Sequence, residues 1–344
     1  MGSTTSIAID VPALQAAIDE APFAGVVSVD TASDSVWSSA HGLADRASGT
    51  PVAHDTRFAI ASGSKAFTAL AVMRLVEDGA LALDTTARSI LGDDLPLVDE
   101  AVTIEHLLGH TSGIGDYIDE DDDIELSEFF LDVPVHTLTT AEAFVPLLDG
   151  IPAKAEPGET FAYCNSGYVV LAILIERVTG RGFHEVVREL VLDPAGLDAT
   201  RFPRTDELGG DHARGYVADD GLRVNTLHLP VRAGGDGGAS TTASDVHRFW
   251  QAFFDGRIVS PASIALMIEP RSHDEDEGMR YGLGFWLDET GTTVVLEGFD
   301  VGASFRSVHH PATATTATVM SNTAGGAWAV ARVLAEAVTA LDAA

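Results

Sequence analysis

A serine hydroxyl becomes a useful nucleophile only when a neighbouring base takes its proton, and the chain offers such a pair in Ser62-Gly63-Ser64-Lys65. A spacing of i to i+3 brings the lysine amine and the serine hydroxyl to one face of a helix. Placement matters more than the letters. An extended segment, Phe58 to Ala61, gives way here to a run from Ala66 to Glu77 that is apolar almost all round. The serine therefore stands at a helix N-terminus, where unpaired N–H groups and the positive end of the dipole favour developing negative charge. A lysine desolvated in such a place can have its pKa lowered enough to act as base. The plainer alternative is a surface lysine with its stem laid along the helix. Against it, Lys65 opens the most apolar helix in the chain.

A second group of polar residues lies at Tyr163-Cys164-Asn165, after the turn and short extended piece Pro157-Gly158-Glu159-Thr160-Phe161. From that rim a phenol and an amide could share a proton with Lys65 and hold a substrate carbonyl; a turn tyrosine and a capping asparagine are the bland alternative. The segments Leu107 to Gly113 and Gly234 to Asp245 are glycine-rich turns beside helices, and alone they say only loop. No Gly-x-Ser-x-Gly elbow occurs, which argues against a Ser-His-Asp hydrolase of that kind. His106 and His110 have a zinc-compatible spacing, but Gly109 and the following Thr-Ser-Gly end the helix between them, and no metal site is expected. Cys164 has no nearby cation or histidine to depress its pKa and reads as a small buried filler.

The elements that must position these groups follow from periodicity. Helices are expected at Val11 to Glu20, Ser166 to Val178 with Gly180 as its stop, Gly182 to Leu192, a segment capped by Ser244 and Asp245 through Phe254, and Ala327 to Leu341. Strands are expected at Gly25 to Asp30, Ser35 to Gly42, Gly282 to Leu287, Thr293 to Glu297, Ser304 to His309 and Thr316 to Ser321. Strands at both ends with helices between them imply an α+β arrangement: an antiparallel sheet built from both termini, flanked by the terminal helices, with a helical lobe inserted. The expected division is a sheet lobe of residues 1–61 and 275–344 and a helical lobe of 62–274, with the active site in the cleft between them.

Composition narrows the partners. The 344 residues carry a formal net charge of -32, with 52 acidic side chains spread along the chain, so nucleic acid and anionic membranes would be repelled. Lysine occurs only at Lys65 and Lys154, all other fixed cations being arginine; with the acidic excess, this resembles proteins from organisms that keep molar salt in their cells. The run Asp119 to Asp123 lacks the spaced ligands of a calcium loop and reads as solvated surface. One cysteine excludes an internal disulfide. The first residues show no basic and apolar leader and no later run would span a bilayer, so a soluble cytoplasmic protein is expected.

Taken in order, Ser62-x-x-Lys65, the His110 to Gly113 turn, Pro157-Gly158 before Tyr163-x-Asn165, and the Gly237-Gly238-x-Ser240-Thr241 segment resemble the serine β-lactamase-related family, across roughly residues 20–325. That family includes class C β-lactamases, DD-peptidases, D-amino-acid amidases and esterases of the same fold. The resemblance implies the β-lactamase/transpeptidase-like fold and an acyl-enzyme mechanism on a small ester, amide or peptide, without a cofactor. Ser62 would attack, Lys65 and Tyr163 share proton transfer, and Asn165 contact substrate. The backbone N–H of Ser62 and one near Val301 would form the oxyanion hole. One departure stands out: where such families place Lys or His, then any residue, then Gly, counting back from Phe305 lands on Gly298-Phe299-Asp300, with no cation. Arg306 is a candidate substitute, though a surface arginine is the simpler reading, while Asp300 and Glu297 suggest an amine-bearing substrate. The missing cation also suits a different class of protein, a catalytically silent relative that binds or regulates.

Overall fold

The computed structural model describes residues 7, 9–20, 23–118, 128, 130–275 and 277–343. Its frame is an eight-stranded sheet: β1 (Gly25–Asp30), β2 (Ser35–His41), β3 (Ser272–Asp274), β4 (Met279–Tyr281), β5 (Trp286–Leu287), β6 (Val294–Asp300), β7 (Ala303–His310) and β8 (Thr315–Ser321). The order is β2-β1-β8-β7-β6-β5-β4-β3, every pairing antiparallel. The last strand of the chain thus returns to pair with the first, Gly25 opposite Ser321.

Side chains alternate across a strand, and both faces of the central strands are apolar because both are covered. Val27, Val29 and Val319 face α1 (Val11–Glu20) and α5 (Trp328–Thr339), where they meet Leu14, Ile18 and Leu334. Val26, Phe305 and Met320 face the larger core of the helical region, built on α2 (Lys65–Glu77), α3 (Asn165–Thr179) and α4 (Ala243–Phe254). Helix α2 has no polar face until its last turn, so it sits at the centre of that core. Gly180 ends α3 in the left-handed conformation, its N–H bonded to the carbonyl of Glu176.

Three elements differ from the sequence expectation. The Gly282 to Leu287 segment is not one strand, because Gly282 donates to the carbonyl of Phe285 and Gly284 takes φ 91°. This tight turn lies so close to α2 that a Cβ on Gly284 would come within 2.4 Å of Ala69. The 182–192 helix is α-helical only over Phe183–Val187 and widens to a π-helix at Arg188–Leu192. Pro194 cannot supply the N–H that a continuous α-helix would direct at Leu190, and the helix adjusts ahead of it. Helix α4 is capped by Thr242, whose hydroxyl accepts the N–H of Asp245, and not by Ser244. The acidic run 119–123 lies outside the described residues.

For the site, the decisive local feature is a two-residue ladder: Phe58–Ala59 pairs with Ser240–Thr241 and ties the segment before Ser62 to the glycine-rich 234–241 segment. Among the described residues no helix is long and apolar enough to cross a membrane. With a net charge of -32, self-repulsion opposes the folded state in dilute buffer. Raising KCl from 0.1 M toward 2 M shortens the Debye length several-fold and is expected to raise the melting temperature by about 5 °C or more, read by calorimetry.

Candidate active site

Ala61–Ser64 forms a 3-10 turn that runs directly into α2. Ala61 has φ 44°, a left-handed conformation costing an alanine about 1–2 kcal/mol, and it stands immediately before Ser62. The strain is held by the 234–241 segment. Ser64 Oγ donates to the carbonyl of Ala61 at 2.7 Å and accepts the N–H of Ala239 at 2.9 Å, while the N–H of Ile60 reaches the carbonyl of Ala239 at 3.0 Å.

Lys65 is 1% exposed. Its Nζ donates to Ser62 Oγ at 2.9 Å, to Asn165 Oδ1 at 2.7 Å and to the carbonyl of Asp236 at 2.8 Å. Burying an ammonium costs several kcal/mol, and three well-placed acceptors are what makes it tenable. The same nitrogen lies 4.9 Å from the centroid of the Tyr163 ring. The structure thus brings Ser62, Lys65, Tyr163 and Asn165 together.

The Tyr163 ring stacks on Trp286 at 6.0 Å and lies 4.4 Å from the His110 ring. His110 clamps the backbone on both sides of that tyrosine: its Nδ1 accepts the N–H of Cys164 at 3.0 Å and its carbonyl accepts the N–H of Ala162 at 2.9 Å. Because Nδ1 accepts, the ring proton is assigned to Nε2. Burial, and then the charge of Lys65, hold the imidazole well below its usual pKa, so it is neutral. The 107–113 turn, legible only as a loop, is therefore the support of Tyr163.

Helix α3 starts at Asn165, and Asp116 straddles its first turn. Its carboxylate accepts the N–H groups of Asn165 at 2.7 Å and Ser166 at 2.8 Å and the Ser166 hydroxyl at 3.1 Å. Burial raises the Asp116 pKa to about 6 despite these bonds and the charge of Lys65. Asp236 serves twice, since its carbonyl receives Lys65 and its Oδ2 accepts the Tyr117 hydroxyl at 2.5 Å. Burial, reinforced by the charge of Asp236, pushes the Tyr117 phenol well above its usual value. The roles of Asp116, Tyr117, His110 and Asp236 at the site were not legible in the sequence.

Ser62 opens onto a cavity of about 390 Å³, walled also by Tyr117, Asn165, His212, Asp236 and Asp300. Strand β6 closes one side. A Cβ on Gly298 would stand 2.0 Å from the carbonyl oxygen of Ile60 and 2.8 Å from the nitrogens of Ser62 and Gly63, so only glycine fits there. Asp300 and Ala303 flank a two-residue turn as a bonded pair, which makes Phe299 and Ser304 the non-bonded pair and directs the Phe299 N–H away from β7. Strand β5 pairs only with Val294 and Val295, so beyond them that edge is left to the Ser62 turn.

Val301 is not where an oxyanion donor must be. It is 2% exposed, its N–H is taken by Asp300 Oδ1 at 2.7 Å and its carbonyl by Asn225 Nδ2 at 2.7 Å. The strand N–H facing the Ser62 side is that of Phe299. Arg306 does not replace the missing cation either: it pairs with Glu297 at 2.9 Å, and both lie opposite Val319 on the sheet face toward α1 and α5. Asp300 alone of the two acidic candidates borders the cavity. Cys164 is buried, and burial pushes its thiol far up. His106 Nδ1 accepts the N–H of Thr103 as part of a helix cap, apart from His110. Among the described residues no three His, Cys, Asp or Glu side chains gather as a metal site.

A family model described as Beta-lactamase matches residues 13–340. Over 286 residues the sequence is 30% identical to penicillin-binding protein 4* of Bacillus subtilis (strain 168), covering 78% of this chain and 60% of that protein. Over 173 residues it is 36% identical to esterase EstB of Burkholderia gladioli, covering 46% of this chain and 41% of that protein. The chain thus spans well under the full length of these relatives. The penicillin binding protein structure from Bacillus halodurans superposes with a TM-score of 0.87 at 33% identity, over 94% of this chain and 99% of that one.

Two outcomes are expected from this geometry. In Gly298→Ala the added methyl displaces the Ser62 peptide, and the second-order rate of Ser62 phosphonylation by a fluorophosphonate falls about a hundredfold while far-ultraviolet circular dichroism is retained. Asp116 titrates near 6 when folded and near 3.8 when unfolded. Between those values the unfolded chain has lost the proton that the folded chain keeps, so this group's contribution to stability falls as pH rises through about 4 to 6. Asp116→Asn removes that part of the slope, read as melting temperature against pH.

Proposed function

Because the chain belongs to the Beta-lactamase family, we propose that it is a serine hydrolase that carries an acyl group from a small ester or amide through an ester on Ser62 to water. The observation that carries the reading is the 2.9 Å bond between Lys65 Nζ and Ser62 Oγ at the wall of an open cavity. Ser62 Oγ attacks the carbonyl carbon as its proton passes to the Lys65–Tyr163 pair, which accepts it in the form in which one of the two has already lost a proton. The developing oxyanion faces the N–H groups of Ser62 and Phe299, an arrangement in which each donor contributes about 3 kcal/mol. The tetrahedral intermediate collapses, the leaving group departs with the proton returned from the same group, and water repeats the sequence on the acyl-enzyme.

Ester chemistry is supported by the likeness to the Burkholderia esterase. Efficient β-lactam hydrolysis is disfavoured by the lack of a cation on β6. That lack is also what favours the second reading, a binding or regulatory relative without turnover. Incubation with a fluorophosphonate and, separately, a penicillin, followed by intact mass, separates the two. The hydrolase reading predicts a single fluorophosphonate adduct that is absent in Ser62→Ala, and steady turnover of 4-nitrophenyl esters by the wild type alone. A folded protein that takes no adduct and turns over no ester contradicts it.

A further inference from the structure

We infer that the substrate carries an amine on its acyl side and that Asp300 is the counter-ion that selects it. The inference rests on the hydrolase reading above and deepens it. Leu296, Gly298 and Asp300 share one face of β6, because side chains alternate along a strand. Gly298 is the residue pressed against the Ser62 peptide, so positions 296 and 300 lie one pleat repeat, about 7 Å, to either side of it. On one side stands Leu296, 4% exposed and part of the apolar core. On the other stands Asp300, at the cavity wall. A substrate carboxylate has no partner at either place, whereas an ammonium has one.

The rest of the wall agrees. Among the described residues bordering the cavity none is lysine or arginine, and the carboxylates are Asp236 and Asp300. Lys65, behind Ser62, is engaged with Ser62, Asn165 and the carbonyl of Asp236. The Asp236 carboxylate receives the Tyr117 hydroxyl. Arg306, the nearest cation of β7, is paired with Glu297 on the far face. Asp300 Oδ1 accepts the Val301 N–H, and Asn225 fixes the carbonyl of Val301.

His212 adds an independent observation. Its side chain is 4% exposed and borders the same cavity, its Nδ1 is 2.8 Å from Asp211 Oδ1, and its Nε2 has no hydrogen-bond partner among the described residues. With Nδ1–H donated to the carboxylate, Nε2 presents a lone pair, a second acceptor and no donor. Two carboxylates and a neutral imidazole acceptor, with no fixed cation among the described lining residues, match a group that brings N–H donors and positive charge, and the chain's net charge of -32 draws such substrates in.

The test uses three 4-nitrophenyl esters of matched length, the 6-aminohexanoate, heptanoate and hemiadipate, at pH 7 and constant ionic strength. The expected kcat/KM order is ammonium, methyl, carboxylate, with about tenfold or more between the first two. Asp300→Asn is expected to shrink the ammonium-to-methyl ratio at least about fivefold, and Asp300→Glu to keep more of it than Asn does. In parallel, 6-aminohexanamide and heptanamide are titrated into Ser62→Ala by calorimetry, which reads selection without turnover. Tighter binding of the amine there supports the inference even where no ester is hydrolysed and the hydrolase reading has failed. Equal kcat/KM for the ammonium and methyl esters, a ratio unmoved by Asp300→Asn, or equal binding of the two amides overturns it.

Discussion

An ammonium group removed from water is the constraint on which this molecule is organised. Lys65 sits at the start of the most buried helix, and its charge is tenable only because three acceptors converge on it from separate parts of the chain. Ser62 comes from the strained turn just before it, Asn165 from the first turn of α3, and Asp236 from the glycine-rich segment. Each acceptor needs its own support. Asp116 anchors the first turn of α3, and Ser64 stitches the nucleophile turn to Ala239. The helical core can thus be described as the packing that holds these three acceptors within reach of one nitrogen.

The sheet contributes a second constraint, the close approach of β6 to the Ser62 turn. Glycine at 298 lets the strand edge come near enough for a backbone N–H to serve beside that of Ser62. The two-residue turn at 301–302 then decides which N–H this is, because register alternates between bonded and non-bonded pairs. The same alternation sends Glu297 and Arg306 to the far face and Asp300 to the cavity. Charge at the site is therefore set by strand register as much as by composition.

Much of this was legible in the sequence, where the relevant interaction is local. An i to i+3 pair at a helix start needs no tertiary knowledge, and Ser62 and Lys65 meet as that spacing implies. The antiparallel sheet from both ends of the chain was legible because period-two apolar runs flank a period-3.6 region. What escaped acts through backbone atoms or across long separations. The carbonyl of Asp236 reaches Lys65 over 171 positions, and any residue type carries a carbonyl, so no side-chain pattern marks it. His110 supports Tyr163 through one ring nitrogen and one carbonyl, hidden in what reads as a loop. Choosing Val301 as a donor was an error of register by two residues, which counting along a hairpin cannot correct without the turn type. Thr242 and Ser244 are equally good caps on paper, and the helix uses the first.

The central claim is that Lys65, by its bond to Ser62, makes that one hydroxyl reactive. The direct measurement is the second-order rate of fluorophosphonate addition, followed by intact mass, for the wild type and for Lys65→Met, each shown to be folded by circular dichroism. The account predicts a fall of about a thousandfold or more in the variant, with the wild-type label mapping to Ser62. Equal rates in the two proteins, or a wild-type label on another residue, would contradict it.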